Sequence, residues 1–122
     1  MAIDNTRTLT ILRPADAPAE KIRPEAERWL LHTGNLMAAV LVFSGGPWAE
    51  PDPLHTHPHE QISYVAEGEI LLIRADREPA RLSAGDLFAV PPDVPHAVQL
   101  LSPTAKVVDC FTPLRQDFLK QP

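Results

Sequence analysis

Cysteine is almost missing: Cys110 is the only one in 122 residues. No disulfide framework can hold the fold, and nothing points to an oxidising compartment. No stretch reaches the roughly 18 apolar residues of a membrane span, and Met1 to Pro14 lacks the apolar core of a secretion signal. The expected location is therefore cytoplasmic, with no membrane partner. An excess of positive charge is absent too. The formal net charge of -5 argues against a phosphate-backbone partner, so nucleic acid is not an expected ligand.

What is present is enough chain for one domain with its own core. Apolar residues make up 44% and charged residues 22%, ordinary values for a globular protein, whereas 14 prolines are about twice the usual share. No segment repeats. Pro14 to Glu27, rich in Pro, Ala and charge, reads as a surface connection. From Arg28 onward apolar residues come in strand-length runs: Trp29 to His32, Leu36 to Phe43, Ile62 to Val65, Ile70 to Ile73, Leu87 to Val90, Ala97 to Leu101 and Lys106 to Phe111. Gly, Pro and Asp punctuate them at the spacing of an all-β sandwich or barrel. Glu25 to Leu31 fits a turn of helix or a strand equally well. The expected division is an N-terminal strand and connection over 1–27, one barrel domain over 28–119 and a tail at 120–122.

Three of the five histidines fall in Leu54-His55-Thr56-His57-Pro58-His59-Glu60-Gln61, and imidazole is a common ligand for several transition metals. In an extended strand His55 and His57 share a face about 6.6 Å apart, so both rings can converge on one ion. An exposed surface pair is the other reading of His-x-His alone. Gln61 shares their parity but in a straight strand lies roughly 13 Å beyond His57. It reaches the ion only if the chain bends, and Pro58 supplies the bend. Otherwise Gln61 merely hydrogen-bonds a ligand histidine.

A second motif runs from Gly85 through Leu87-Phe88-Ala89-Val90 and Pro91-Pro92-Asp93-Val94-Pro95 to His96. Together the two segments resemble the paired signatures of the cupin superfamily. His-x-His, three residues, Glu or Gln, six residues, Gly is met by His55, His57, Gln61 and Gly68. Gly, five residues, Pro, x, Gly, two residues, His is met by Gly85, Pro91 and His96, with Asp93 in place of the glycine. Asp tolerates a left-handed turn better than most residues. The resemblance covers about residues 28 to 119. It implies a small double-stranded β-helix (jelly-roll-like) barrel holding one divalent metal ion on His55, His57, Gln61 and His96. His59 is read as a neighbour or rim residue and His32 as a strand histidine with ordinary partners.

Cupins often carry Glu where Gln61 stands. Three imidazoles and an amide oxygen leave a divalent site at +2, which favours an anionic small-molecule substrate. The same neutral donors suit zinc, nickel, iron, manganese or copper.

Val107 to Arg115 reads as a strand with Asp109 and Phe111 on one face and Val108 and Cys110 on the other. Aspartate in so apolar a strand is costly unless paired. Its companion is a metal-bound water, a substrate hydroxyl or Arg115, and an Asp109–Arg115 ion pair closing the barrel end is the purely structural alternative. His55 to Glu69, Pro91 to His96 and Asp109 to Leu119 also resemble the pectin degradation protein group, whose members open unsaturated monouronates into linear keto acids. That resemblance implies roles for Asp109 as general acid/base, Arg115 on the substrate carboxylate and Phe111 as an apolar wall. Proline-heavy Gly45 to Leu54 and charged Arg74 to Ala80 depart from the group.

The expected function is a metal-dependent isomerase acting on a small anionic sugar acid. A dioxygenase acting on an enol or diketone and a non-catalytic ligand-binding barrel are the alternatives. Cupins commonly pair, so a homodimer is expected, with Ile3 to Leu12 offered as a strand to a neighbouring copy.

Overall fold

Alternation of inward and outward side chains builds nine strands, preceded by one short 3-10 turn, Pro14–Asp16, in the computed structural model, which describes residues 8–119. The strands are β1 (Glu20–Arg23), β2 (Ala26–His32), β3 (Met37–Phe43), β4 (Glu60–Glu67), β5 (Glu69–Arg74), β6 (Arg77–Ser83), β7 (Leu87–Val90), β8 (His96–Leu100) and β9 (Ala105–Thr112). They form an antiparallel six-stranded sheet, ordered β1-β2-β3-β9-β4-β7, and a three-stranded sheet, ordered β6-β5-β8. From β4 onward the chain passes between the two sheets. This is the all-β double-stranded β-helix barrel expected from the paired motifs.

Strand β4 shows why the sequence folds this way. Gln61, Ser63 and Val65 are buried while Ile62 and Tyr64 between them are exposed, the two-residue period of a strand with one face inward. Phe43, Val65 and Val107 from one sheet meet Ile70 and Leu100 from the other in the main core. A second cluster of Met37, Ala39 and Phe111, backed by Leu114, Phe118 and Leu119, fills the end from which β9 emerges.

The structure corrects the reading of Pro14 to Glu27 as a connection and adds a strand in the charged stretch after Arg74. Glu20–Arg23 lies inside the segment read as a connection, yet it pairs with β2, so the sheet begins before Arg28. Arg77–Ser83, within and beyond the stretch read as a charged departure, pairs with β5. Both are edge strands, where charge is tolerated on the solvent side and discourages further pairing. Glu25 to Leu31 resolves in favour of strand, because Ala26 to His32 pair residue by residue with β3. Residues 8–12 form no strand within the chain, and Leu9 and Ile11 are exposed. The remainder of the proposed N-terminal strand, and the tail at 120–122, lie outside the described residues. No helix among the described residues is long and apolar enough to cross a membrane.

Gly68 and Gly85 both have positive φ, at 83° and 100°, where any side chain is strained. They differ in space. A Cβ at Gly68 would stand 2.3 Å from the Thr104 carbonyl oxygen, whereas nothing lies within 4 Å of one at Gly85. Gly85→Ala is expected to cost about 1 kcal/mol, and Gly68→Ala upwards of about 3 kcal/mol because backbone must also move. Urea unfolding of the two variants checks the order.

Candidate metal centre

Two segments far apart in sequence are joined by a pair of backbone hydrogen bonds. The His55 N–H donates to the His96 carbonyl at 3.0 Å and the His96 N–H to the His55 carbonyl at 3.1 Å, an isolated antiparallel bridge. It brings the two imidazoles together, their centroids 4.2 Å apart and their planes tilted by 55°. The Asp93 N–H donates to the His57 carbonyl at 2.8 Å, tying the proline turn to the same loop. Asp93 has φ 63°, the left-handed turn expected where the motif carries glycine. Pro58 and His59 form a bend before β4 begins at Glu60, as Gln61 requires. The ligand-type nitrogens of His55, His57 and His96 then lie within 4.8 Å of one another.

Hydrogen bonding decides which nitrogen of the His96 and His57 rings faces inward. His96 Nδ1 is 2.8 Å from the Val94 carbonyl oxygen, an acceptor only, so Nδ1 carries the proton. Its Nε2 is buried without a partner, a lone pair aimed into the site. His57 Nδ1 is 3.1 Å from the His59 carbonyl and is fixed the same way. His57 Nε2 stands 2.8 Å from Gln61 Oε1, so in the neutral ring two lone pairs face each other. A cation between them removes that conflict. An orphaned imidazole nitrogen, a facing acceptor pair and a third imidazole at the mouth are a donor set that fits one divalent transition metal. Burial pushes His96 down to about 4, and burial followed by the neighbouring His57 lowers His55. Both rings are thus neutral and able to ligate near pH 7.

The amide of Gln61 leads away from the imidazoles. Its Nε2 donates to Ser63 Oγ at 2.9 Å, and the Ser63 hydroxyl donates to Asp109 Oδ1 at 2.5 Å. Ser63 was not singled out from sequence. Its signal was its parity: two residues beyond a candidate ligand on an alternating strand, it shares the inward face. Burial raises Asp109 to about 6, against the Ser63 hydrogen bond and the charge of Arg115.

Asp109 and Arg115 do not form the ion pair considered above. Arg115 forks onto Asp117 instead, Nε at 3.0 Å and Nη2 at 2.7 Å, while its guanidinium lies 5.1 Å from the centre of Phe111 and 4.1 Å from that of Phe118. His55, Gln61, His96, Asp109, Phe111 and Arg115 all line one cavity of about 240 Å³ between the sheets. Arg23 and Arg28, which sequence reading passed over, line it as well, paired with Asp52 and Glu20. His59 stands apart: its Nε2 is 3.1 Å from the Leu114 carbonyl oxygen. His32 faces the Thr33 carbonyl, outside the cavity.

Residues 39–109 match the protein-family model described as Cupin domain. The chain is 29% identical over 106 residues to the pectin degradation protein KdgF of Dickeya dadantii (strain 3937), an alignment spanning 85% of this chain and 93% of that protein. Among solved structures, KdgF from Halomonas sp. is 31% identical with a TM-score of 0.80, covering 89% of this chain and 99% of that one. An RmlC-like cupin from Shewanella frigidimarina NCIMB 400 is 34% identical with a TM-score of 0.79, covering 91% and 96%.

The shift at Asp109 has a definite sign. The folded chain keeps this proton up to about pH 6 and the unfolded chain releases it near 3.8, so stability is lost as pH rises through that window. Asp109→Asn removes the charge without changing the shape. In chelator, the variant is expected to be more stable than the unsubstituted chain at pH 7 by roughly 1–3 kcal/mol, the difference shrinking toward pH 4. Thermal melts across that range check it, and a gain independent of pH would contradict the raised pKa.

Proposed function

Because this chain belongs to the cupin domain family, we propose that it is a metal-dependent isomerase acting on a small anionic sugar acid, an unsaturated uronate. The observation that carries the reading is Asp109. Burial raises this carboxyl to about 6, and it shares one cavity with converging imidazoles and an arginine. The relative named for pectin degradation supports the substrate class.

His55, His57 and His96 would hold the ion, with the Gln61 amide oxygen as fourth donor. When bound, a divalent metal supplies a Lewis acid that polarises a substrate oxygen, at an undiminished +2 because all four donors are neutral. The protein's own groups do the rest. Opening a cyclic hemiacetal takes the proton from its hydroxyl as a carbonyl forms there and the bond from that carbon to the ring oxygen breaks, and the enolate so released takes a proton up at carbon, so the sum is an isomerisation. A carboxyl near pKa 6 can accept the first proton and return the second. Arg115, held beside Phe118 and Phe111, grips the substrate carboxylate, and Phe111, 2% exposed, keeps water from the reacting carbon.

A homodimer is part of the same proposal. The outer face of the larger sheet carries two apolar rows, Val40, Val108, Tyr64 and Leu87 in one and Ala38, Cys110, Ile62 and Ala89 in the other. Ile62, Tyr64 and Leu87 are exposed. A second copy laid against this face buries both rows.

Turnover of unsaturated galacturonate by the metal-loaded protein is the test. Asp109→Ala is expected to lower kcat by about 10²–10⁴ with metal content unchanged, and Arg115→Ala to act mainly on KM. Full turnover by the Asp109 variant overturns the assignment, and oxygen uptake during turnover moves the reading to a dioxygenase. Ile62→Lys with Tyr64→Lys is expected to halve the mass in sedimentation. A monomeric unsubstituted chain at micromolar concentration contradicts the dimer.

A further inference from the structure

We propose that Ser63 is a positioning residue. Its hydroxyl fixes the Gln61 amide with the oxygen toward the imidazoles and at the same time pins Asp109 on the opposite strand. The inference rests on the metal reading above and explains why residue 61 is an amide.

Ser63 is fully buried, directly opposite Asp109 on β9 and Phe88 on β7. It has one proton to give and two lone pairs to fill. With Asp109 as carboxylate, that proton goes to Oδ1. Ser63 Oγ can then only accept from its other neighbour, and Gln61 Nε2 is the donor that meets it. The amide's orientation is thereby decided from behind, and Oε1 is left facing His57 Nε2 at 2.8 Å. Every link in the chain from Gln61 to Asp109 donates in the same direction.

A glutamate at this position would have no N–H. Its outer oxygen and Asp109 would compete for the single Ser63 proton, two carboxylates sharing one donor in a buried strand pair, an arrangement that disfavours charge on both. Gln61 therefore does more than leave the site at +2. It is the residue type that lets one serine serve the ligand and the acid–base group together.

This role predicts an interaction between positions 61 and 63 that simple packing does not. Zinc affinity of the full-length, metal-stripped protein is measured by competition with a chromophoric chelator. Ser63→Ala is expected to weaken zinc binding about tenfold when Gln61 is present, because the amide is free to turn its N–H toward the site. In the Gln61→Glu background the same change is expected to alter affinity by less than about threefold, since a carboxylate presents oxygen either way. An equal loss in both backgrounds, or no loss with Gln61, overturns the proposal. Should Ser63→Ala not fold, Ser63→Cys carries the comparison, its weaker donor giving a smaller loss with Gln61 and none in the Gln61→Glu background. Absence of zinc binding in the unsubstituted protein is a different failure: it removes the metal reading itself.

Discussion

Strand β4 lies between β9 and β7 with Ser63 opposite Asp109 and Gln61 opposite Phe111. Side chains on a strand alternate, so slipping β4 by one residue against β9 would send Gln61 and Ser63 to solvent and bring Ile62 and Tyr64 inside, opposite an Asp109 and a Phe111 held in place by β3. Register is consequently what the cavity depends on. It is held by apolar burial at one end, where Val65 and Val107 meet the main core, and by Phe111 at the other. The polar middle, which on its own would be costly to bury, is placed by its neighbours and in return satisfies its own hydrogen bonds.

A division of labour follows along the barrel axis. The closed end is packed with Phe43, Ile70 and Leu100 and contributes stability. The open end gathers loops, and its residues are fixed by hydrogen bonds more than by packing: the His55–His96 bridge, the Asp93 amide on the His57 carbonyl, the Nδ1 contacts of His57 and His96. These contacts orient the rings, and a ligand set oriented by the protein lowers the ordering cost of binding an ion.

Much of this was legible in the chain. The apolar runs marked the central strands because those strands are buried on one face and must alternate. The two histidine motifs marked the loops because ligand geometry demands fixed spacing, and the bend at Pro58 followed from the distance Gln61 had to cover. What was not legible has a common cause. Strands β1 and β6 are edge strands with charged residues, so their sequences resemble connections. Arg28 looks like an ordinary surface arginine until tertiary structure seats it on Phe118 and against Glu20. The partner of Arg115 stayed open for a similar reason. Asp109 shares the strand's face with Phe111 and invites pairing, whereas Asp117 is brought round by the turn after β9 and meets the guanidinium with both oxygens.

His59 closes the circle in another way. Its carbonyl holds the His57 ring and its imidazole meets the Leu114 carbonyl, one position before Arg115. The segment that carries the arginine is therefore latched to the histidine loop through His59. Exchanging the C-terminal segment among relatives as an independent cassette would unfasten that latch unless position 59 travelled with it. In this barrel two segments 55 residues apart in sequence form one structural unit.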